Sequence, residues 1–290
     1  KVNNRYGLAM IFVLLVGVYI VECVNGQSSR DNLFDEKISE ATRLFTGLEG
    51  IKNYFRNNTS PLAKKILETF ETECFFMEEP ELPPDTSRKP FIVIEGNQKN
   101  SREVVGVRLA GLLDGRYLVH PAPCLIKYLD VLPKGTLIRR AFYVLSLYAM
   151  SFNIKVHLSL GRAVVLNGYW LDQLSFATIQ TFTGMELPPP DSEVFTCPKE
   201  LLQPDLMFYL NLPDDLFFTQ FTTRSPQNWK KRALALYEGL QTRYPILIQD
   251  LKGVFRVTTD AVYQQVFERL GDRRDISARN QRVSFDYSNH

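Results

Sequence analysis

The chain has 290 residues, 45% of them hydrophobic and 12% aromatic, which is ample material for a large core. Its 34 basic and 32 acidic residues leave a formal charge of +2, which excludes the global positive field of a nucleic-acid binder. His120, His157 and His290 have no metal-ligand spacing and no Cys-x-x-Cys pair occurs, so no metal site is expected.

A basic start, an apolar run from Leu8 to Val21 and a small-residue exit at Val24-Asn25-Gly26 open the chain. This pattern predicts a secretory signal peptide over residues 1–26. A membrane anchor through residues 8–24 and mitochondrial targeting are the alternatives. Overlapping sequons at Asn57 and Asn58 are glycosylation candidates that suit a lumenal or extracellular location. With Cys23 in the leader, Cys74, Cys124 and Cys197 remain; three cannot all pair within one chain, so no disulfide framework is expected.

Next, Phe34, Ile38, Ala41, Phe45 and Leu48 keep to one face of a helix over residues 33–48. A second helix has Ser60 as N-cap, Pro61 at its first position and a stripe of Leu62, Ile66, Leu67, Phe70 and Cys74. The acidic, Pro-rich stretch from Glu78 to Pro90 breaks regular structure. Residues 27–88 therefore read as a helical extension and linker, ahead of a domain over 89–290.

Short apolar runs at 91–95, 116–120, 163–167, 205–210 and 245–250 then alternate with helix-length segments at 100–113, 137–153, 170–182, 229–243 and 259–270. Thr258 or Thr259 would cap the last helix. This alternation predicts an α/β fold, a parallel sheet covered by helices on both faces. Ligands of such sheets bind beyond the carboxyl ends of the strands, here after Glu95, His120 and Asn167.

The segment after Glu95 has the outline of a phosphate loop, G-x-x-x-x-G-K-[ST], but only its first residue, Gly96, matches. Ser101, Arg102 and Glu103 stand where the second Gly, the Lys and the Mg²⁺-binding hydroxyl belong. Two readings compete. In one, Asn100 is an N-cap and Glu103 completes a capping box, so the helix satisfies its own N–H groups. In the other, Lys99 and Arg102 serve an unusual working loop.

Several ordered runs resemble the thymidylate kinase superfamily, and most closely its UMP-CMP kinase 2 branch: Lys89 to Gly96, Ile138 to Tyr143, Tyr169-Trp170 and Pro198 to Leu206. The resemblance spans about residues 89–270. It implies a P-loop nucleoside monophosphate kinase fold, three layers around a five-stranded parallel sheet, using Mg-ATP to phosphorylate a pyrimidine nucleotide. It further implies that Arg139 and Arg140 bind the monophosphate, with Arg140 favoured, while Phe142 and Tyr143 flank the base. An Asp-Arg pair expected after the third strand is replaced by Asn167 and Gly168. Tyr169 and Trp170 then read either as core or as a stacking shelf.

The lid expected over 213–223 has no Arg; only Arg224 follows, and Phe217, Phe218 and Phe221 give an apolar face. Lys230, Lys231 and Arg232 read as a solvated basic face. Loss of charge in the loop, the Asp-Arg pair and the lid leaves no catalytic set intact. The expectation is a catalytically impaired kinase-like protein of the secretory pathway, with retention of a nucleotide pocket left open. The alternatives are an active pyrimidine monophosphate kinase, or a membrane-tethered or secreted protein that binds an unknown protein partner.

Overall fold

The computed structural model describes residues 33–85, 87–213 and 227–271. A helical stretch over residues 33–42 is followed by a short turn and by α1 (Gly47–Arg56). After α2 (Pro61–Glu73), the chain enters β1 (Phe91–Gly96), α3 (Lys99–Leu112) and β2 (Arg116–Val119). Then come α4 (Leu137–Ser159), β3 (Val164–Asn167), α5 (Trp170–Thr181), β4 (Leu206–Asn211), α6 (Gln227–Leu240), β5 (Ile246–Asp250) and α7 (Phe255–Leu270).

The five strands form one parallel sheet in the order β2-β3-β1-β4-β5. The three central strands are near-continuous apolar runs because helices cover both of their faces. Alternation along β1 separates two cores. Phe91 and Val93 point to the side of α4, α5 and α6, whereas Ile92 and Ile94 join Val105 and Leu109 of α3 and Val262 and Val266 of α7.

The extension packs into the first of these cores, where Ile51, Phe55, Ile66 and Phe70 are at most 1% exposed. It is tied there covalently. Cys74, the C-cap of α2, forms a disulfide with Cys124 in the segment after β2, with Cα atoms 5.5 Å apart. This corrects the expectation from cysteine parity: Cys74 and Cys124 pair, and Cys197 is left buried as a free thiol, its pKa pushed up to about 12 by burial. Lys127 with Glu73 (2.9 Å) and Thr69 with the Tyr128 hydroxyl (2.7 Å) fasten the same junction.

Other differences have local causes. The predicted stripe over 33–48 is broken after Thr42, where residues 43–46 are irregular and Gly47, with a positive φ of 81°, opens α1. The helix predicted over 137–153 continues to Ser159. The last helix starts at Phe255, which places Thr258 and Thr259 inside it and buried, not at its cap. Lys230 is buried and Arg232 donates to the carbonyls of Phe182 and Met185, both at 2.9 Å, so this part of the basic run is not a solvated face. Among the described residues no helix is long and apolar enough to cross a membrane.

Candidate functional site

The junction between β1 and α3 lies at the carboxyl end of the central strand, where a ligand of this type of sheet would sit. Gly96 has φ 147°, and a Cβ there would lie 2.2 Å from the Leu210 carbonyl oxygen of β4. The closeness of β4 alone is enough to require glycine. Asn97 fastens the loop to the same strand: its Nδ2 donates to Asn211 Oδ1 (3.0 Å), and its Oδ1 accepts from Leu212 N–H (2.9 Å).

The N-cap of α3 is Gln98, whose side-chain oxygen accepts from Ser101 N–H at 2.7 Å and is also bonded by the Ser101 hydroxyl. The predicted capping box of Asn100 and Glu103 is therefore incorrect. The helix starts at Lys99, Asn100 falls inside its first turn, and Glu103 is exposed. Three loop amides have partners within the chain: Asn97 N–H on the Leu210 carbonyl, Ser101 N–H on Gln98 Oε1 and Arg102 N–H on the Gln98 carbonyl. These three amides are thus already satisfied and do not face a phosphate.

Arg102 turns inward. Its Nη1 donates to Asp172 Oδ1 at 3.1 Å, in the first turn of α5. Gly168 adjoins this pair; a Cβ there would sit in ordinary contact, 3.4 Å from Asp172 and 3.8 Å from Arg102, so its φ of 77° is what favours glycine. Behind them lies Glu95, only 1% exposed, accepting from the N–H groups of Tyr169 (3.0 Å) and Asp172 (3.2 Å) and from the Tyr237 hydroxyl. Tyr209 stacks against Tyr237 with ring centroids 4.3 Å apart.

Burial pushes the Glu95 carboxyl up to about 7, with a further rise from Asp172 and opposition from Tyr237, Tyr169 and Arg102. Burial works against the Arg102 cation, but Asp172 and Glu95 more than offset it and raise its pKa. Glu95, Asp172 and Tyr237 were not singled out from the sequence. The available signal was a carboxylate closing the apolar run Phe91-Ile92-Val93-Ile94.

This cluster yields a pH test. Because the folded pKa of Glu95 is raised, its proton stabilises the fold fully below the unfolded value near 4.5, and that contribution is lost as pH rises through about 7. Glu95→Gln mimics the protonated acid and should flatten the stability profile between those limits, gaining relative to the parent at pH 8. Urea unfolding at pH 5 and pH 8 checks this; parallel changes in both proteins would refute the assignment.

Asn167 is occupied within the fold, its Nδ2 donating to the Tyr117 hydroxyl at 2.9 Å. Tyr169 and Trp170 are buried core residues, the first against Phe91 and the second against Tyr244, so neither offers a stacking shelf. Phe142 is fully buried, and Tyr143 is half-buried with its carbonyl bonded to His120 Nε2 (2.9 Å). Burial lowers the His120 pKa to about 4, so its ring is neutral.

The two arginines of α4 diverge. Arg139 donates to the carbonyls of Leu129 and Leu132, whereas Arg140 lines a small cavity of about 20 Å³ with Glu40, Arg43, Leu44, Val144, Gln173 and others. Among the described residues the buried Arg140 Nε has no hydrogen-bond partner. Phe217, Phe218, Phe221 and Arg224 lie outside the described residues.

Mg-ATP fits this loop poorly. The Arg102 charge is held by Asp172, and three amides are used. No protein-family model and no curated protein matches the chain. Its fold class is an α/β protein with a five-stranded parallel sheet between helical layers. Among solved structures, the thymidylate kinase of Candida albicans is similar at 14% identity and TM-score 0.48, covering 64% of this chain and 94% of that one. A gluconokinase from Sinorhizobium meliloti 1021 is similar at 11% identity and TM-score 0.33, covering 64% and 98%.

Proposed function

We propose that the chain is a nucleoside monophosphate kinase-like protein, closest to the UMP-CMP kinase 2 branch of the thymidylate kinase superfamily, that has lost phosphoryl transfer. The observation that carries this reading is the Arg102–Asp172 pair above buried Glu95. Phosphoryl transfer needs an uncommitted cation and open amides facing the phosphates. Here the charge at the Lys position is neutralised from within.

Incubation with MgATP and UMP, CMP, dUMP or dTMP should give no diphosphate above background. Turnover would overturn the reading in favour of an active pyrimidine monophosphate kinase. Binding of a pyrimidine monophosphate without transfer is compatible with loss of catalysis, and the unpartnered Arg140 Nε supports a residual acceptor pocket.

The secretory pathway is the compartment we favour. Support comes from the apolar leader and from the Cys74–Cys124 disulfide, a bond that persists in oxidising surroundings. Asn57 is exposed at the C-cap of α1 and suits glycan transfer, whereas Asn58 Oδ1 is occupied by Ser60 N–H at 3.0 Å. We assign residues 27–88 as an extension of the kinase-like domain.

A further inference from the structure

Residues 33–45 lie across α4 and α5 and form one wall of the cavity that holds Arg140. Ala41 and Leu44 are 3% and 6% exposed, and Phe34 meets Phe182 edge-on with centroids 5.3 Å apart. Glu40 and Arg43 are exposed overall but also line the cavity, so they stand at its rim. The space left beneath is only about 20 Å³, room for about one water molecule and far below the roughly 300–1,000 Å³ of small-molecule pockets, so nothing the size of a nucleotide enters while the segment is in place. A nucleotide therefore competes with the segment for the same apolar walls, Val144 and Ala177.

The two ends of the segment's junction with α1 differ in how firmly they are held. At the start of α1, Leu48 N–H donates to Glu200 Oε1 at 3.1 Å, and beyond it α1 and α2 are packed in the core and closed by the disulfide. Residues 43–46 are irregular, and Gly47 has φ 81°, a turn that can take up a change of direction. Upstream of that turn, Ala41 and Leu44 are the buried anchors.

We propose that residues 33–45 are an intramolecular cover over the acceptor side of the fold. They exclude a pyrimidine nucleoside monophosphate from Arg140 and lift about the turn at Gly47 to admit it. This rests on the reading of Arg140 as the remnant of an acceptor site. The energetic logic is a population shift: a ligand that binds only the lifted state binds more weakly in proportion to the rarity of that state.

The test uses the full chain with a reporter, Ala177→Cys, in the covered wall, with and without Leu44→Ser/Phe45→Ser, which weakens the cover without adding charge. The opened protein should label at position 177 about tenfold faster with a maleimide and bind UMP or dTMP about tenfold more tightly by calorimetry. Equal labelling of the two proteins, fast or slow, overturns the cover, and so does equal or absent binding in both.

A second measurement needs no anchor variant. In the unaltered chain, saturating UMP should speed tryptic cleavage after Arg43; unchanged or slowed cleavage counts against the proposal. Adding MgATP separates the two readings. Diphosphate formed only by the opened protein would overturn lost catalysis and leave the cover standing, whereas UMP bound equally by both without turnover would overturn the cover alone.

Discussion

Replacement of Asp205 by Ala is expected to lower folding stability by about 3–5 kcal/mol, the range for removing one partner of a buried ion pair. Asp205 Oδ1 accepts from Arg88 Nη2 at 2.8 Å and its Oδ2 accepts from Phe91 N–H at 2.7 Å. The two side chains are 4% and 5% exposed. Without the carboxylate, Arg88 keeps the Lys89 carbonyl and a 3.4 Å contact to Asp85, a residue 81% exposed and well hydrated. That contact cannot offset a buried guanidinium.

Urea unfolding of Asp205→Ala, Arg88→Ala and the double variant measures the coupling. The double variant should lose less than the sum of the single losses, because no lone charge remains. A single-variant loss below about 1 kcal/mol, the scale of an exposed pair, would show that the pair is not isolated from water. The amino-terminal end of β1 is opposite the candidate site, so nucleotide titrations should be unaltered in any variant that folds.

The same residue explains one of the sequence resemblances. In the run Pro198 to Leu206, Glu200 bonds the first turn of α1, Leu201 is buried and Asp205 locks β4 to β1. Each role is structural. Gly96, which reads as the first glycine of a phosphate loop, is likewise required by the approach of β4.

What was legible in the sequence was the alternation of elements, since each central strand is a short apolar run and each later helix has an apolar stripe. α1 has no counterpart in the sequence reading, although Leu48, Ile51 and Phe55 have helical spacing; it begins at Gly47 and holds Gly50 in its first turn, residues of low helix propensity. The Gln98 cap escaped because Gln is not among the usual capping residues, while Asn100, which is, lies inside the helix. The candidate site was legible only as missing charges. Asp172 is 70 residues from Arg102, and no local pattern joins them. Their pairing depends on α5 starting beside α3, which is set by the order of the strands.

Removing the Cys74–Cys124 bridge should cost a similar amount by a different route. The bridge closes a loop with a sequence separation of 50, for which the chain-entropy relation gives about 4 kcal/mol. Most of this acts on the unfolded chain, because the Lys127–Glu73 pair and the Thr69–Tyr128 bond still hold α2 to the segment after β2 in the reduced protein. The reduced protein should therefore keep its native circular dichroism and melt about 10 °C lower.

Cys74→Ser/Cys124→Ser compared with the oxidised parent, each without reductant, measures the effect. Peptide mapping should find the Cys74–Cys124 link in protein recovered from an oxidising compartment and only free thiols in protein made in a reducing one. A melting difference below about 2 °C would mean that the junction is preserved in the unfolded chain or that the bridge does not form. A local consequence also follows. The segment after β2 supplies the Leu129 and Leu132 carbonyls that hold Arg139, so loosening it should raise amide exchange at the start of α4 while leaving α7, on the far side of the sheet, unchanged.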